Sequence, residues 1–423
     1  MKIAVVGTGI SGLVVAHRLA PDHDITVFEA GDHIGGHTHT HDFVIDGVAT
    51  SVDSGFIVFN KKTYPNFIQL LEELNVSYRD SDMSFSVRDD RSGLEYNGTT
   101  INGLFAQRKN LLRPKFWGML RDVLRFYRGA DRYLDSDFDK VTLGQALDEG
   151  GFGTAFIEQH ILPMGAAVWS SSPHELLDFP IQTFARFFSN HGFLQLKDRP
   201  QWLTIEGGSR GYIGPMTSRY RDRIQLRAAV VSVRRDVDGA VEIRLANGEV
   251  AYFDRVVLSC HSDQALKILK DADPLEKEIL GAIPYRRNEV LIHTDPIFMP
   301  HLRRAWSSWN VRIDESDATG AEELRATYWM NRLQGLDIPA DIFVTLNDSR
   351  GVDPSRVLKR LTYHHPLFTH EGIVAQRRHS EIDGVGGVHY CGAYWGYGFH
   401  EDGVNSALAV LRSISTRQRE AAA

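Results

Sequence analysis

The first residues of the chain combine two apolar runs with a glycine-rich turn. Residues 2–6 form a largely apolar run, which is typical of a parallel strand buried on both faces, and residues 11–19 continue with helical spacing. A second β-rich run follows at residues 25–29. The pattern therefore predicts a strand, turn, helix and strand within about 30 residues, as in a βαβ-type unit.

A long helical region separates this unit from strand-rich sequence. Apolar residues spaced along one helix face predict a helix at 64–75, and residues 103–190 are predicted to be mostly helical. Strand-like runs joined by hairpin-type turns then predict a β-meander at residues 224–235, 241–245 and 255–259.

The last third of the chain is again rich in strands. The stretch 290–344 predicts the sheet of a second domain. It is followed by an apolar strand at 388–391, a loop rich in glycine and aromatic residues, and a helix at about 403–414. The length of 423 residues also favours more than one domain, because single cores rarely grow beyond about 300 residues.

Composition excludes several classes of protein. A hydrophobic content of 43% with 24% charged residues is ordinary for a globular chain and argues against disorder. The formal net charge of -7 argues against general nucleic-acid binding, and we predict no nucleic-acid partner. Cys260 and Cys391 have the spacing of neither a disulfide framework nor a zinc site, so we expect a reducing, cytoplasmic compartment.

The turn after the first strand carries the GxGxxG pattern at residues 7–12. Gly7 allows the tight turn, Gly9 lets a pyrophosphate approach the backbone, and Gly12 lets the helix pack close to the strand. The helix N-terminus adds N–H donors and a partial positive charge. Glu29, at the end of the second strand, is placed to accept hydrogen bonds from ribose hydroxyls and disfavours the 2′-phosphate of NADP. Together these features predict a dinucleotide site formed by Gly7, Gly9, Ile10, Ser11, Gly12, Glu29 and Ala30, which leaves NAD and FAD both open.

A second glycine segment follows Glu29, with Gly35, Gly36 and Thr40. It resembles the Gly-Gly-Arg-x-x-Thr segment that lies along the flavin side of the cofactor in the superfamily of flavin-containing amine oxidases, protoporphyrinogen oxidases and phytoene desaturases. His37 stands where arginine or lysine is usual in that superfamily. Val230 lies where the superfamily contacts adenine through the backbone. The resemblance implies FAD as the cofactor and assigns contacts with it to Gly35, Gly36, His37, Thr38 and Val230.

The end of the chain resembles the same superfamily, whose members finish with a strand, a glycine-rich loop and a helix. The N–H groups at the start of that helix approach the pyrimidine carbonyl of the flavin, where donors stabilise the charge of the reduced form. Tyr394 stands where many relatives carry a glutamate. The resemblance assigns this part of the cofactor site to Gly392, Glu401, Asp402, Gly403 and Val404. The two carboxylates have an open alternative, in which they only stabilise the first helical turn.

The resemblance also implies the domain organisation. We expect an α/β fold with a Rossmann-like FAD-binding domain and an interleaved mixed α+β substrate domain that includes a helical cap. The predicted FAD-binding domain comprises residues 1–60, 200–270 and 385–423. The predicted substrate domain comprises residues 61–199 and 271–384, with its helical part at about 103–190.

Candidates for further chemistry are few. The alternating His37, His39 and His41 could share one face of an extended strand and bind a metal, but the nearby glycines explain the segment without one, and we predict no metal. Tyr394 and His400 are the catalytic candidates, because they flank the predicted flavin helix.

The function predicted from these features is that of an FAD-dependent oxidoreductase that desaturates or oxidises a lipid-like substrate by hydride transfer to flavin N5. More narrowly, residues 35–40, 52–56 and 398–403 resemble a bacterial branch associated with cyclopropane-fatty-acid-synthase-like methyltransferases. That resemblance implies a methylated or unsaturated acyl chain of a membrane phospholipid as substrate. Three alternatives stay open, namely a flavin amine oxidase, a carotenoid or isoprenoid desaturase, and a flavin-binding scaffold without turnover.

Residues 108–128 reverse the acidic balance of the chain. Seven lysines and arginines stand there against a single acid, Asp122, and alternate with apolar and aromatic residues. This mixture is typical of an amphipathic helix on the anionic inner face of a membrane, and the alternative is a solvated helix packed on its own domain. The sequence leaves the oligomeric state open.

Overall fold

The computed structural model of the chain describes residues 1–169, 171–314, 324–347 and 350–422. Within them the strands are β1 (Lys2–Val6), β2 (Asp24–Phe28), β3 (Thr40–Ile45), β4 (Val48–Asp53), β5 (Phe59–Asn60), β6 (Tyr78–Ser81), β7 (Phe85–Asp89), β8 (Leu94–Asn97), β9 (Trp202–Ile205), β10 (Ile224–Gln225), β11 (Val230–Arg235), β12 (Val241–Leu245), β13 (Val250–Phe253), β14 (Arg255–Leu258), β15 (Tyr285–His293), β16 (Trp309–Ile313), β17 (Leu324–Trp329), β18 (Phe343–Leu346), β19 (Val357–Pro366) and β20 (Val388–Tyr390). The α-helices are α1 (Ile10–Leu19), α2 (Pro65–Glu73), α3 (Ile101–Leu104), α4 (Pro114–Gly129), α5 (Leu143–Glu149), α6 (Thr154–Phe156), α7 (Leu162–Trp169), α8 (Pro173–Leu177), α9 (Ile181–Asn190), α10 (Ile213–Thr217), α11 (Ser262–Ile268), α12 (Pro274–Gly281), α13 (Met330–Leu333), α14 (His370–Gln376), α15 (His379–Ile382) and α16 (His400–Ala422).

A five-stranded parallel sheet carries the predicted dinucleotide unit. Its order is β10-β2-β1-β14-β20, and β1 pairs with both β2 and β14. Ile3 and Val5 pack against α1 and α16 on one face, whereas Ala4 and Val6 pack against β11 to β13 on the other. This double burial explains the apolar run of β1 and confirms the predicted α/β fold. Each of the three ranges predicted for the FAD-binding domain contributes to this sheet, and the exact domain boundaries stay a prediction.

A second large sheet has seven strands in the order β19-β15-β18-β17-β16-β7-β8. Its neighbouring strands are antiparallel except β16 and β7, which are parallel. The strand-rich stretch at 290–344 therefore does supply a sheet of its own, joined by β7 and β8 from before the helical region. Residues 315–323 of that stretch lie outside the described residues.

The helical region is also confirmed. Helices α3 to α9 fall between residues 101 and 190, and their apolar faces form a separate core rich in phenylalanine. Residue 170 lies outside the described residues. Across the part of the chain that the structure describes, no helix is both long enough and apolar enough to cross a bilayer.

Two predicted elements are wrong in detail. The run at 255–259 does not belong to the meander, because β14 pairs in parallel with β1 and β20. Residues 224–225 of the first predicted run form β10, which pairs in parallel with β2, so the meander consists of β11, β12 and β13. The last helix begins at His400 and not near Gly403. The predicted start was too late because glycine is a poor helix former and weakens the helical pattern. In the structure, acidic residues in the first turn and the packing of α16 against α1 favour the longer helix.

Candidate cofactor site

The three glycines of the turn between β1 and α1 differ in what surrounds them. Gly7 has φ +105°, a conformation that side chains rarely adopt. A Cβ atom on Gly12 would lie 2.1 Å from the carbonyl oxygen of Gly7, whereas a Cβ on Gly9 would meet no atom within 4 Å. Gly7 and Gly12 are thus required by the fold, and the space beside Gly9 is open for a ligand.

The side chain of Glu29 is hydrogen-bonded to the turn between β1 and α1. Its Oε2 accepts hydrogen bonds from the Thr8 N–H at 3.0 Å and the Thr8 hydroxyl at 2.5 Å, and its Oε1 accepts one from the Gly31 N–H at 2.8 Å. Its carbonyl oxygen accepts a hydrogen bond from the Ala228 N–H at 2.8 Å, two residues before Val230 at the start of β11. The predicted ribose and adenine contacts therefore lie side by side, with Ala30 exposed next to them.

The Gly35-Gly36 segment forms the next wall of the same space. Both residues have positive φ, and a Cβ on Gly36 would lie 3.1 Å from the Cα of Gly9. Two residues on, the Thr38 hydroxyl lies 2.5 Å from the Tyr212 hydroxyl and 2.9 Å from the His400 Nε2. The segment therefore connects the turn before α1 with the start of α16.

His37 and its neighbours form a group of neutral rings. The His37 ring centroid lies 4.9 Å from that of Tyr363, 5.4 Å from that of His365 and 5.9 Å from that of His261. Burial lowers the pKa of His37 and His365 to about 3 and that of His261 to about 4. These imidazoles are neutral at pH 7 and available as hydrogen-bonding groups.

The other histidines of the segment stack elsewhere. His39 lies 3.8 Å from His33 and 4.0 Å from His41, measured between ring centroids. The three alternating histidines therefore do not gather around one point, which the metal-binding alternative requires. Among the described residues no group of three or more His, Cys, Asp or Glu is arranged to hold a metal ion.

A buried carboxylate joins three segments beside the site. Asp53 accepts hydrogen bonds from the Thr40 hydroxyl at 2.5 Å, the Ser209 hydroxyl at 2.8 Å and the Ser209 N–H at 2.9 Å. Burial raises the pKa of Asp53 to about 6. The next residues lead to Phe56, whose ring stacks on His400 at 3.5 Å between centroids.

The start of α16 differs from what the sequence predicted. The Gly403 N–H is bonded to the Phe399 carbonyl oxygen within the helix, and a Cβ on Gly403 would lie 2.7 Å from Ile10, so Gly403 serves the close contact between α16 and α1. Val404 is buried in the same core. The N-terminal donors predicted at Gly403 and Val404 therefore belong one turn earlier, at His400 and Glu401, since α16 begins there.

The two carboxylates of this turn accept hydrogen bonds from the polypeptide itself. Glu401 accepts hydrogen bonds at the N-terminus of α2, from the Asn66 N–H and side-chain amide and from the Phe67 N–H. Asp402 accepts one from the Phe399 N–H at 2.9 Å, and burial raises its pKa to about 7. These bonds support the structural alternative, and a contact of either carboxylate with the cofactor stays a prediction.

The two catalytic candidates are both buried. Burial lowers the pKa of His400 well below its usual value, and the neutral ring is fixed by Thr38 and Phe56. Tyr394 packs against Gly392, where a Cβ would lie 2.2 Å from the tyrosine ring, and burial raises its pKa. A catalytic role for either residue stays a prediction.

Several buried polar atoms around the site have no hydrogen-bond partner among the described residues. They include the His37 Nε2, the Tyr394 hydroxyl and the Trp395 Nε1. Such atoms are nearly always paired in folded proteins, because an unpaired one costs about 1–3 kcal/mol. A ligand with many hydrogen-bonding atoms beside the open space at Gly9 fits this arrangement, as FAD would.

Beyond His400 lies a group of packed aromatic side chains, which we call the aromatic wall. The ring of Phe399 stacks on Phe187 at 5.0 Å between centroids, and Tyr397 lies 5.7 Å from the same ring. The wall extends into the helical region and consists of Trp169, Phe179, Phe184, Phe187, Phe188, Phe368, Tyr397 and Phe399.

Sequence reasoning missed several residues of this site. Tyr212, His261 and His365 had no motif to mark them, because each is brought close by pairing between distant strands and helices. The doublet Gly207-Gly208, a few residues before Tyr212, is a local signal near one of them.

Comparisons with known proteins agree with this geometry. The sequence profile described as flavin containing amine oxidoreductase matches residues 10–410. The chain is 32% identical over 158 residues to the 4,4′-diapophytoene desaturase of Staphylococcus aureus, a match that covers 34% of this chain and 30% of that protein. The matches by sequence span no more than 30% of the length of any of these relatives.

Solved structures match over almost the whole chain. The cyclohexylamine oxidase from Brevibacterium oxydans has a TM-score of 0.70 at 15% identity, covering 98% of this chain and 99% of that one. The fatty acid isomerase from P. acnes has a TM-score of 0.69 at 15% identity, covering 97% and 98%. At this identity the likeness establishes the fold.

Proposed function

The chain belongs to the family of flavin-containing amine oxidoreductases, and from this premise we propose that it is an FAD-dependent oxidoreductase acting on an apolar, lipid-like substrate. The preferred substrate is an acyl chain of a membrane phospholipid. When bound, FAD supplies a two-electron acceptor for the hydride removed from a substrate carbon.

The binding part of the proposal rests on the glycine turn and its neighbours. The open space at Gly9 would receive the pyrophosphate, and Glu29 would face the ribose hydroxyls. The unpaired polar atoms of His37, Tyr394 and Trp395 would gain partners from the same ligand.

The aromatic wall is the observation that carries the choice of substrate. It begins at Phe399, one residue before the start of α16, and continues through Phe187 into the helical core. His191 stacks on Phe187 at 4.0 Å between centroids, and burial lowers its pKa to about 4, so it is neutral at pH 7. A wall of aromatic rings would desolvate an apolar chain, and this apolar character is what favours a lipid-like substrate in the proposal.

The groups at the start of α16 would orient the substrate and exclude water. His400 is neutral, fixed by Thr38 and stacked on Phe56, so no charge forms there at pH 7. Hydride transfer requires close approach and a dry site more than a strong base. These residues are therefore proposed to position the reacting carbon, and the proton that a desaturation releases together with the hydride would pass to a neutral imidazole of the site, such as that of His37.

The relatives support both this proposal and its main rival. A fatty acid isomerase shares the fold, and a diapophytoene desaturase shares part of the sequence, which favours a long apolar substrate. The cyclohexylamine oxidase and the family description favour an amine. The two candidates predict different electron donors for the flavin.

A substrate panel separates them. The FAD-loaded protein is mixed under anaerobic conditions with phospholipids bearing unsaturated or methyl-branched acyl chains, with carotenoid precursors, and with primary and secondary amines. We expect the acyl lipids to bleach the visible flavin absorption and to lose two hydrogens by mass spectrometry. Bleaching by amines, with peroxide formed on readmission of air, would establish the amine oxidase instead.

A charge placed in the aromatic wall provides the matched test. Phe399→Asp should slow reduction by acyl lipids more than tenfold while bound FAD is retained, because a buried charge opposes an apolar chain. Leu196→Asp, at a side chain that is 61% exposed, is the control and should change nothing. Equal rates of flavin reduction in the two variants would show that the aromatic wall is not part of the substrate site.

A further inference from the structure

An exposed apolar ridge lies on the outer side of the helical region, at the short helical turn 108–112 and the first turns of α4. Leu111, Leu112 and Trp117 are 48%, 87% and 50% exposed. Large apolar side chains exposed together on one surface mark an interaction site. We propose that this ridge docks the protein on an anionic phospholipid membrane.

The ridge is held in place by the fold. The Trp117 Nε1–H donates a hydrogen bond to the Leu111 carbonyl oxygen at 2.9 Å, and the Trp117 ring lies 5.6 Å from that of Phe105 between centroids. The same short segment as Phe105 presents Ile101, which is 81% exposed. On the opposite side of α4, Phe116 is buried in the helical core. The exposed side chains are therefore preformed, and docking needs no rearrangement of the backbone.

The segment that carries the ridge is basic. Residues 101–121 contain five lysines and arginines and no acidic residue, in a chain whose net charge is -7. Arg108 donates to the Phe105 carbonyl oxygen and the Asn102 side chain, both neutral, so its charge is not compensated there. Within the described residues no carboxylate forms an ion pair with Arg108, Lys109 or Lys115.

Apolar tips bordered by cations complement a bilayer in two ways. The side chains of Leu112 and Trp117 can enter the boundary between headgroups and acyl chains, while the cations face anionic phosphate groups. A protein partner would need a shaped, acidic surface, and the apolar tips at the centre of the patch disfavour nucleic acid. The acidic remainder of the chain would be repelled by the same membrane, which orients the protein with this ridge inward.

Docking through the ridge would bring the aromatic wall close to the membrane. Phe116 of α4 and Phe187 of the wall belong to one continuous helical core. The ridge therefore lies on the outer side of the helical region, and the aromatic wall, which is the proposed substrate surface, lies on its inner side. The membrane inference does not rest on the proposed substrate, since it depends only on exposure and charge.

Vesicle flotation of the full FAD-loaded chain tests the inference. Vesicles of phosphatidylcholine alone are compared with vesicles that also contain phosphatidylglycerol, at low and high salt. We expect flotation with the anionic vesicles, reduced by salt because exposed charges are screened. Lys109→Glu and Lys115→Glu should each weaken partitioning at least about fivefold, since each basic residue near an anionic surface contributes about that factor.

An apolar pair of variants completes the test. Leu112→Asp should reduce flotation at least about tenfold, whereas Val237→Asp, at a turn of the meander where the side chain is 98% exposed, should not. Both positions are exposed, so urea denaturation should match the wild type. No flotation of the wild type, equal flotation of the two variants, or an RNA- or protein-dependent association that Leu112→Asp abolishes would overturn the proposal. Failure here leaves the flavin reduction assay untouched, so the two proposals fail separately.

Discussion

Replacing Gly9 and Gly12 by alanine should separate cofactor binding from folding. The two glycines lie three residues apart in one turn, and each substitution adds a single Cβ atom. At Gly9 that atom would meet nothing within 4 Å, and the backbone has φ -62° and ψ 171°, which alanine adopts freely. At Gly12 it would lie 2.1 Å from the Gly7 carbonyl oxygen and 3.0 Å from the Ser259 Cβ.

The two substitutions should affect the free energy of unfolding and the affinity for FAD in opposite order. Gly9→Ala should change the free energy of unfolding by no more than about 1 kcal/mol, because the cost of alanine in place of glycine at a helix N-cap is partly offset by the restriction of the unfolded chain. Gly12→Ala forces two backbone segments apart and should cost about 3 kcal/mol, as overpacking of a tight core does. For FAD the order reverses, because the new methyl group at Gly9 occupies the path of the pyrophosphate and should weaken binding at least about tenfold, or 1.4 kcal/mol.

Two measurements decide the matter. Urea denaturation of the FAD-free proteins gives the stability of each variant, and quenching of flavin fluorescence gives the affinity for FAD. If Gly9→Ala binds FAD like the wild type, the cofactor does not pass over this glycine. If Gly12→Ala is as stable as the wild type, the close contact between α1 and Gly7 does not constrain the fold.

Three further substitutions test the carboxylates. Glu401→Ala should lower the free energy of unfolding by about 1–2 kcal/mol, because it removes a cap from α2, yet leave FAD affinity unchanged in a fluorescence titration; weaker binding would return this carboxylate to the cofactor. Glu29→Gln should weaken FAD binding about tenfold while the exposed control Glu249→Gln does not, and equal affinities would contradict the ribose contact. For Asp402 the folded pKa, about 7, lies above the unfolded value, so its stabilising contribution is full below about pH 4 and lost as the pH rises through 7. The urea midpoint of the wild type should therefore fall relative to that of Asp402→Asn between pH 5 and pH 8, and parallel curves would show that Asp402 does not titrate there.

The beginning of the site could be predicted from the sequence because its logic is local. A strand buried on both faces, a glycine at a position with positive φ and a carboxylate at the next strand end all leave marks within 30 residues of one another. The sequence also marked the helical region and the second sheet by their periodicity. In each case the signal and the structure it specifies lie in the same segment.

What could not be predicted depends on contacts between distant segments. The run that became β14 looks like a third strand of the meander, and only its pairing with β1 and β20 moves it into the parallel sheet. His261 and His365 carry no local signal, and they meet His37 from two distant places, the start of α11 after β14 and the strand β19. Strand order and the direction of a side chain are decided by tertiary packing, which a periodic pattern does not record.

The start of α16 shows how one such boundary changes the chemistry. Because the helix begins at His400 and not at Gly403, its free N–H groups lie nearly one turn earlier than predicted. Gly403 is then no free donor, and it makes the close contact with α1 instead. It also turns the Glu401 carboxylate toward α2 and sets the neutral His400 ring between Phe56 and Thr38. Because α16 is positioned by its packing on α1, the same contact fixes both the pyrophosphate end and the reactive end of the site. Binding of FAD at either end should therefore stabilise the other, and the unpaired atoms of His37, Tyr394 and Trp395 are where that coupling is expected to act.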